Sequence, residues 1–221
     1  MTGATGRIGR AVGLALRGAG MEVLLHGRSP DRVALLQEET GTEAMAGDLT
    51  RPEAVEAIRA RVARHGRLGV LTLGFGIYER SDDPAVLERL LAANLLGPYA
   101  LLRALLPFLI AGQGQVVFLN STQGLAASGG VGQFAATQHA MRAIADSLRD
   151  EVNAKGVRVL SLFLGRTASD RQRAIFAMEG RSYPEELLIQ PEDVAQAVLA
   201  MLELPRTVEA TQLTLRPMRK V

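Results

Sequence analysis

The chain has 221 residues, of which 48% are hydrophobic and 4% aromatic, and its formal net charge is +2. This length is enough to bury a sizeable aliphatic core, and we predict a single domain over residues 1–221. No cysteine is present, which excludes disulfides and thiolate metal sites, and no metal site is predicted. The arginines are dispersed along the chain instead of forming a basic stripe, so a nucleic-acid partner is not expected.

Membrane insertion is not expected either. The most apolar window, residues 90–112, is interrupted by Asn94, Gly97, Pro98, Arg103 and Pro107. A span needs about 20 apolar residues in succession, so this window predicts a buried or interface helix. The glycine-rich motif begins at Thr2, and no signal peptide precedes it. We therefore expect a soluble, cytoplasmic protein.

Strand and helix patterns alternate along the chain. The predicted strands are residues 22–25, 42–47, 68–73, 115–119, 157–163 and 211–215. A first predicted helix runs from residue 8 and ends near Gly18, and a second opens at residues 29–30. The other predicted helices are residues 50–64, 84–110 with an interruption near 97–98, 131–154, 169–178 and 191–202. Strands separated by helices of this length form βαβ units. The pattern predicts an α/β fold with a doubly wound parallel sheet of Rossmann type.

A glycine-rich turn, TGATGRIG at residues 2–9, opens the first helix. Glycines allow a tight turn and let phosphate oxygens approach the backbone N–H groups at a helix start, where the helix dipole favours anions. The turn predicts a dinucleotide site formed by Gly3, Thr5, Gly6, Arg7, Ile8 and Gly9. Such a turn normally follows a strand, yet only Met1 precedes it here. We therefore expect most of the first, central strand to be missing, and we hypothesise that the true start lies upstream of Met1.

The segment His26–Gly27–Arg28 follows the next predicted strand. An acidic residue at this point would bond the ribose hydroxyls of NAD, and none is present. A guanidinium can instead pair with a 2′-phosphate, so Arg28, assisted by Arg7, favours NADP(H) over NAD(H). An ordinary surface arginine is the alternative for Arg28.

The segment NSTQGLAASGGVGQFAATQHAM, residues 120–141, joins a strand, a loop of small residues and a helix. It resembles the catalytic segment of the short-chain dehydrogenase/reductase family, and the resemblance extends over essentially the whole chain. In that family the positions of Phe134 and Gln138 hold a catalytic tyrosine and a catalytic lysine. The resemblance makes Ser121 the residue that bonds a substrate carbonyl.

Other positions take their implied roles from the same resemblance. Asp48, followed by Leu49, matches the aspartate that contacts adenine; a turn aspartate is the alternative. Residues 73–76 stand where the family has Asn-Asn-Ala-Gly along the cofactor, which places Gly74 and Gly76 there. Asn94 matches an asparagine that holds a relay water, although a structural role at a helix irregularity is equally open. A further implied segment lies against the nicotinamide and contains Gly165 and Thr167.

The two substitutions remove the proton chemistry that the resemblance implies. Phenylalanine has no proton to donate, and glutamine carries no charge to lower a phenol pKa. Lysine occurs only at Lys155 and Lys220, so no lysine replaces the lost one. We expect an inherited hydride transfer between NADPH and a carbonyl or alcohol, strongly reduced or lost. The alternative is a non-catalytic cofactor-binding sensor or an inert oligomer partner of an active relative.

Two further expectations concern partners. Residues 87–110 and 131–154 resemble the helices through which family members form dimers and tetramers, so we expect a homo-oligomer. A small carbonyl or alcohol is the expected substrate. The segment 170–188, which would contact it, has no decisive pattern.

Overall fold

The computed structural model describes residues 1–74 and 76–221 and contains eight α-helices among them. The helices are α1 (Arg7–Gly18), α2 (Pro30–Thr40), α3 (Pro52–Ala63), α4 (Pro84–Leu91), α5 (Gly97–Ala111), α6 (Gly132–Val152), α7 (Asp170–Met178) and α8 (Pro191–Leu202). The strands are β1 (Leu25–Gly27), β2 (Ala44–Ala46), β3 (Val70–Leu73), β4 (Gln115–Ser121), β5 (Arg158–Leu164) and β6 (Gln212–Leu215). Phe75, within the predicted cofactor segment 73–76, lies outside the described residues.

All strand pairs are parallel, and the N-terminal residues join two ladders. β1 pairs with β2, and β3, β4, β5 and β6 pair in that order. Between β1 and β3, the N–H of His26 donates to the Met1 carbonyl at 2.9 Å and the N–H of Thr2 donates to the Thr72 carbonyl at 3.0 Å. Thr2 forms an isolated parallel bridge with His26 in place of a full strand. The predicted doubly wound Rossmann-type sheet is therefore confirmed.

Helices cover both faces of the sheet, each over its own apolar cluster. Successive residues of β4 point to opposite faces, so Val116 and Phe118 belong to one cluster and Val117 to the other. The first face is covered by α3, α5 and α6. The second is covered by α1 and α8. The carboxyl ends of the strands are thereby brought to one edge, where ligands bind in such folds.

Several predicted elements begin later in the structure, among them the strands predicted from residues 42 and 68, which begin at Ala44 and Val70. The strand predicted at 22–25 is observed as Leu25–Gly27, because pairing with β2 and Thr2 begins only at Leu25. The helix predicted from Thr50 begins at Pro52 with Arg51 as its N-cap residue. Thr50 instead donates its N–H to Asp48 at 3.0 Å.

The helical run from Pro84 to Ala111 is interrupted as expected, but it does not end. A π-helix spans Ala92–Leu96, and Gly97 begins α5 directly after it. Pro98 has no N–H to bond the Asn94 carbonyl, which favours such a local change of register. By length and composition alone, this run is long and apolar enough to cross a membrane. Its buried residues, including Leu101, Leu105 and Leu109, pack in the domain core.

Candidate cofactor and active site

A cavity of about 620 Å³ lies at the carboxyl edge of the sheet. Every predicted cofactor residue that precedes the helical run lines it: Gly3, Thr5, Gly6, Arg7, Ile8, Gly9, Arg28, Asp48, Leu49, Gly74 and Gly76. The same cavity is lined by Ser121, Phe134, Gln138, Gly165 and Thr167. The fold thus places the glycine turn and the residues of the catalytic segment around one space.

The glycine turn is shaped for a close backbone approach. Gly3 has φ +69°, a left-handed conformation that favours glycine. A Cβ on Gly9 would lie 2.3 Å from the Gly3 carbonyl oxygen, so no side chain fits there. Gly6 is the N-cap residue of α1 and offers no capping side chain. The first N–H groups of α1 therefore suit a phosphate, which is what the dinucleotide prediction requires.

Arginines surround the adenosine end that the motif analysis predicted. Arg28 lines the cavity and is exposed. Arg32, which the motif analysis missed, lines it as well and donates to the Thr5 carbonyl at 2.8 Å. Arg7 forms an ion pair with Glu185 at 2.5 Å, so its charge is already engaged by a carboxylate. Arg32 is thus a further candidate partner, beside Arg28, for a 2′-phosphate.

Asp48 holds the turn before α3. Its Oδ1 accepts from the Thr50 N–H at 3.0 Å and from the Thr50 hydroxyl at 2.9 Å. Desolvation would raise the pKa of this carboxyl, but the Thr50 donors together with Arg28 and Arg51 outweigh it and lower the pKa. Asp48 is therefore ionised at neutral pH. Its carboxylate stabilises the turn before α3 and also lines the cavity.

Asn94 lies behind the cavity wall, where it is 3% exposed. Its Oδ1 accepts from the Ile77 N–H at 2.7 Å, and its Nδ2 donates to the Ile77 carbonyl at 3.0 Å and to the Thr137 hydroxyl at 3.2 Å. A Cβ on Gly76 would lie 2.9 Å from Asn94 Oδ1. These contacts support the structural alternative for Asn94, and they explain why a glycine stands at position 76.

The catalytic positions combine one hydroxyl with two residues that do not ionise. Ser121 Oγ accepts from the Gln123 N–H at 3.2 Å, which leaves its hydroxyl hydrogen free to be donated towards the cavity. Phe134 is 7% exposed and packs with Val86 and Leu90. Gln138 lines the cavity and donates its Nε2 to the Thr137 hydroxyl at 3.2 Å. The site can therefore hold a carbonyl through Ser121 but has no acid at position 134.

A tyrosine lies next to that position. The rings of Tyr78 and Phe134 pack edge to face with 5.1 Å between their centroids. The Tyr78 hydroxyl accepts from Arg80 Nε at 2.6 Å, and both residues line the cavity. Several charged residues line the cavity as well. Arg80 and Arg166 were not predicted to do so, and Asp170, Arg171 and Glu179 lie in the predicted substrate segment 170–188. In the sequence, the four arginines within residues 166–181 were the signal that this segment adds charge to the site.

The remaining predicted residues close the far side of the cavity. Thr167 is 3% exposed, and its hydroxyl donates to the Gly165 carbonyl at 3.1 Å. Thr167 also forms an isolated parallel bridge with Ile189. A Cβ on Gly165 would lie 3.2 Å from the Leu215 carbonyl oxygen, so the segment is packed closely against β6.

The fold and the cavity define a Rossmann-type protein whose cavity fits a nicotinamide cofactor. The profile of the short chain dehydrogenase family matches residues 1–180, and the chain belongs to this family of oxidoreductases. An uncharacterized short-chain type dehydrogenase/reductase from Sinorhizobium fredii is 30% identical, with 100% of this chain and 91% of the relative covered.

Solved structures agree with this assignment. An alcohol dehydrogenase from Thermococcus sibiricus, complexed with 5-hydroxy-NADP, is 27% identical with a TM-score of 0.82, covering 100% of this chain and 96% of that one. A serine dehydrogenase complexed with NADP⁺ has a TM-score of 0.89 at 23% identity, covering 100% of this chain and 94% of that one, and this likeness shows the fold.

Proposed function

We propose that the chain binds NADP(H) and derives from enzymes that transfer hydride between NADPH and a carbonyl or alcohol. One observation carries the proposal: a single cavity joins the glycine turn at the start of α1 to Ser121, Phe134 and Gln138. When bound, the nicotinamide group would supply or accept the hydride. The glycine turn would hold its phosphates, and Ser121 would hold the carbonyl oxygen.

The preference for NADP(H) rests on charge. Arg28 and Arg32 stand at the adenosine end of the cavity. Guanidinium groups pair well with a phosphate. The segment His26–Gly27–Arg28 contains no carboxylate for a ribose diol, and Asp31 does not line the cavity. The structures complexed with NADP⁺ and with 5-hydroxy-NADP are consistent with this assignment.

We propose that proton transfer is strongly reduced or lost. Phe134 offers only a ring to the cavity, and Gln138 offers an uncharged amide. A positioned general acid contributes about 10²–10⁴-fold to such reactions, and a loss near this size is the consequence. The second candidate is a cofactor-binding sensor or an inert partner of an active relative. It is favoured by the burial of Phe134 in an apolar cluster, which preserves the shape of the site without its chemistry.

The decisive experiment compares the wild type with Phe134→Tyr/Gln138→Lys. NADPH binding is measured by titration, and turnover is measured by NADPH oxidation with a panel of small aldehydes and ketones. We expect both proteins to bind NADPH and the double variant to gain about 10²–10⁴-fold in turnover. Equal turnover would contradict the loss of proton transfer, and an absence of NADPH binding in both would contradict the cofactor assignment. Ser121→Ala in the double variant is the control, since it removes the remaining hydroxyl.

Assembly and location complete the proposal. A homo-oligomer, a dimer or tetramer, is supported by Leu96 and Tyr99, which are 60% and 43% exposed beside the buried face of the α4–α5 run. Large apolar side chains that remain exposed are typical of surfaces that become buried on association.

We further propose a cytoplasmic protein without a nucleic-acid or membrane partner, in keeping with its cysteine-free sequence and dispersed arginines.

A further inference from the structure

The part of the cavity beyond Phe134 is lined by arginines from three separate segments. Arg80 follows β3, Arg166 follows β5, and Arg171 lies in the first turn of α7. None of them belongs to the glycine turn or to the adenosine end. Their convergence on one end of the cavity therefore calls for an account separate from cofactor binding.

One carboxylate serves most of these arginines. Glu179, which is largely buried, accepts from Arg166 Nη2 at 2.8 and 3.0 Å and from Arg80 Nη2 at 3.0 Å. Arg181 adds a third guanidinium at 3.2 Å. Arg181 does not line the cavity, whereas Arg80, Arg166 and Arg171 do, and these three arginines outnumber the two carboxylates beside them, Glu179 and Asp170. This end of the cavity therefore keeps a net positive charge, and cavity walls of low dielectric strengthen its field.

Arg171 is the least compensated of the group. Its guanidinium donates to the Gly76 carbonyl and forms no ion pair with a carboxylate among the described residues. Asp170 also lines the cavity, and it makes no ion pair with Arg171 in the described part of the chain. Water reaches Arg171, yet the cavity walls crowd it, and this desolvation lowers the pKa of its guanidinium. A crowded cation with only a neutral partner gains from an added anion.

We propose that this end of the cavity binds the carboxylate of a small oxo or hydroxy acid, and that Arg171 pairs with it. Ser121 lines the same cavity and would hold the carbonyl or hydroxyl of that molecule, so the inference rests on the proposed function. The bond from Arg171 to Gly76 uses one edge of a guanidinium that has five donors. The remaining donors match a carboxylate, which guanidinium forks bind in two parallel bonds.

The test uses two ligands that differ by one charge. Acetoacetate and methyl acetoacetate carry the same ketone, and only the first carries a carboxylate. Both are titrated by calorimetry into the full chain saturated with NADPH, with the wild type, Arg171→Gln and Arg173→Gln. Arg173 is the matched control, because it lies in the same helix, does not line the cavity and is paired with Glu185 at 2.7 Å.

We expect acetoacetate to bind the wild type at least about tenfold more tightly than the ester. Arg171→Gln should remove this preference, and Arg173→Gln should keep it. Equal affinity of the wild type for acid and ester would overturn the inference. So would an Arg171→Gln variant that weakens both ligands equally, because that result assigns Arg171 only to the Gly76 contact. An absence of acetoacetate binding to the NADPH-saturated wild type would also overturn it.

The same titrations separate this inference from the proposed function. NADPH binding is measured before either ketone is added. Failure of the wild type to bind NADPH contradicts the proposed function and the inference that rests on it. Normal NADPH binding without a carboxylate preference contradicts the inference alone.

Discussion

The Phe134 ring packs against the edge of the Tyr78 ring with 5.1 Å between their centroids. The position to which the sequence resemblance assigns a catalytic phenol is thus filled by a ring inside an apolar cluster. The nearest phenol, that of Tyr78, is bonded to Arg80. The buried Phe134 ring therefore stabilises the fold, whereas a tyrosine at this position would donate a proton.

This packing predicts that Phe134 is more important for stability than for turnover. Phe134→Ala should lower the free energy of unfolding by about 3 kcal/mol, because it removes a large buried side chain and leaves a cavity. Urea denaturation at pH 7 measures the change. The control His139→Ala, at an exposed position of the same helix, should stay within about 0.5 kcal/mol of the wild type. An equally small change for Phe134→Ala would contradict the packing argument.

Two glycines of α1 give a matched test of the phosphate turn. Gly9→Ala should reduce NADPH affinity more than about tenfold and lower the free energy of unfolding by about 1–3 kcal/mol, because its Cβ would meet the Gly3 carbonyl oxygen at 2.3 Å. Gly18→Ala, at a position with open space around it, should leave affinity unchanged and raise stability by up to about 1 kcal/mol. Fluorescence titration and urea denaturation measure both. Tolerance of alanine at position 9 would be inconsistent with the turn as described.

Cofactor choice should depend on Arg28. Arg28→Ala should weaken NADPH binding by about 10–100-fold, since a hydrogen bond to a charged group contributes about 1.5–3 kcal/mol, and should leave NADH binding unchanged. Parallel titrations with the two cofactors measure the ratio. Arg59→Ala, at a surface arginine paired with Glu56, is the control. Equal weakening of NADPH and NADH by Arg28→Ala would count against a 2′-phosphate contact.

The buried imidazole of His26 should make the free energy of unfolding depend on pH. Desolvation lowers the pKa of this buried imidazole from 6.5 to about 4. Its Nε2 donates to the Gly47 carbonyl at 3.0 Å, and its Nδ1 has no partner among the described residues. The unfolded chain binds more protons than the folded one between these two pKa values. The stabilisation is therefore complete above pH 6.5 and is lost as the pH falls towards 4, by about 3 kcal/mol.

His26→Gln provides the comparison, because its amide can still donate to Gly47 and does not titrate. Urea denaturation between pH 4 and pH 7.5 should show a steeper loss of stability for the wild type than for this variant. Parallel pH dependence of the two proteins would show that His26 is not the cause.

Local patterns in the sequence were sufficient for much of the fold and site. Alternating strand and helix periods predicted the doubly wound sheet, and glycine spacing predicted a turn at the start of α1, because both depend on residues close together in the chain. The sequence also shows Phe134 and Gln138 at the two positions where the resemblance implies a catalytic tyrosine and lysine. The start of β1 was missed because strand pairing, and not apolar composition alone, decides where a ladder begins.

The partners of polar side chains were decided only by the tertiary structure. Arg7 pairs with Glu185, which is 178 positions away, and Arg171 contacts Gly76, 95 positions away. Asn94 is turned to the backbone of Ile77, and these contacts favour the structural role that the sequence had left open beside the relay role. The sequence by itself determined which chemical groups the site has and which it lacks. The folded chain decided which of them are already bonded to each other and which remain for a ligand, because such contacts form between segments that only the packed sheet brings together.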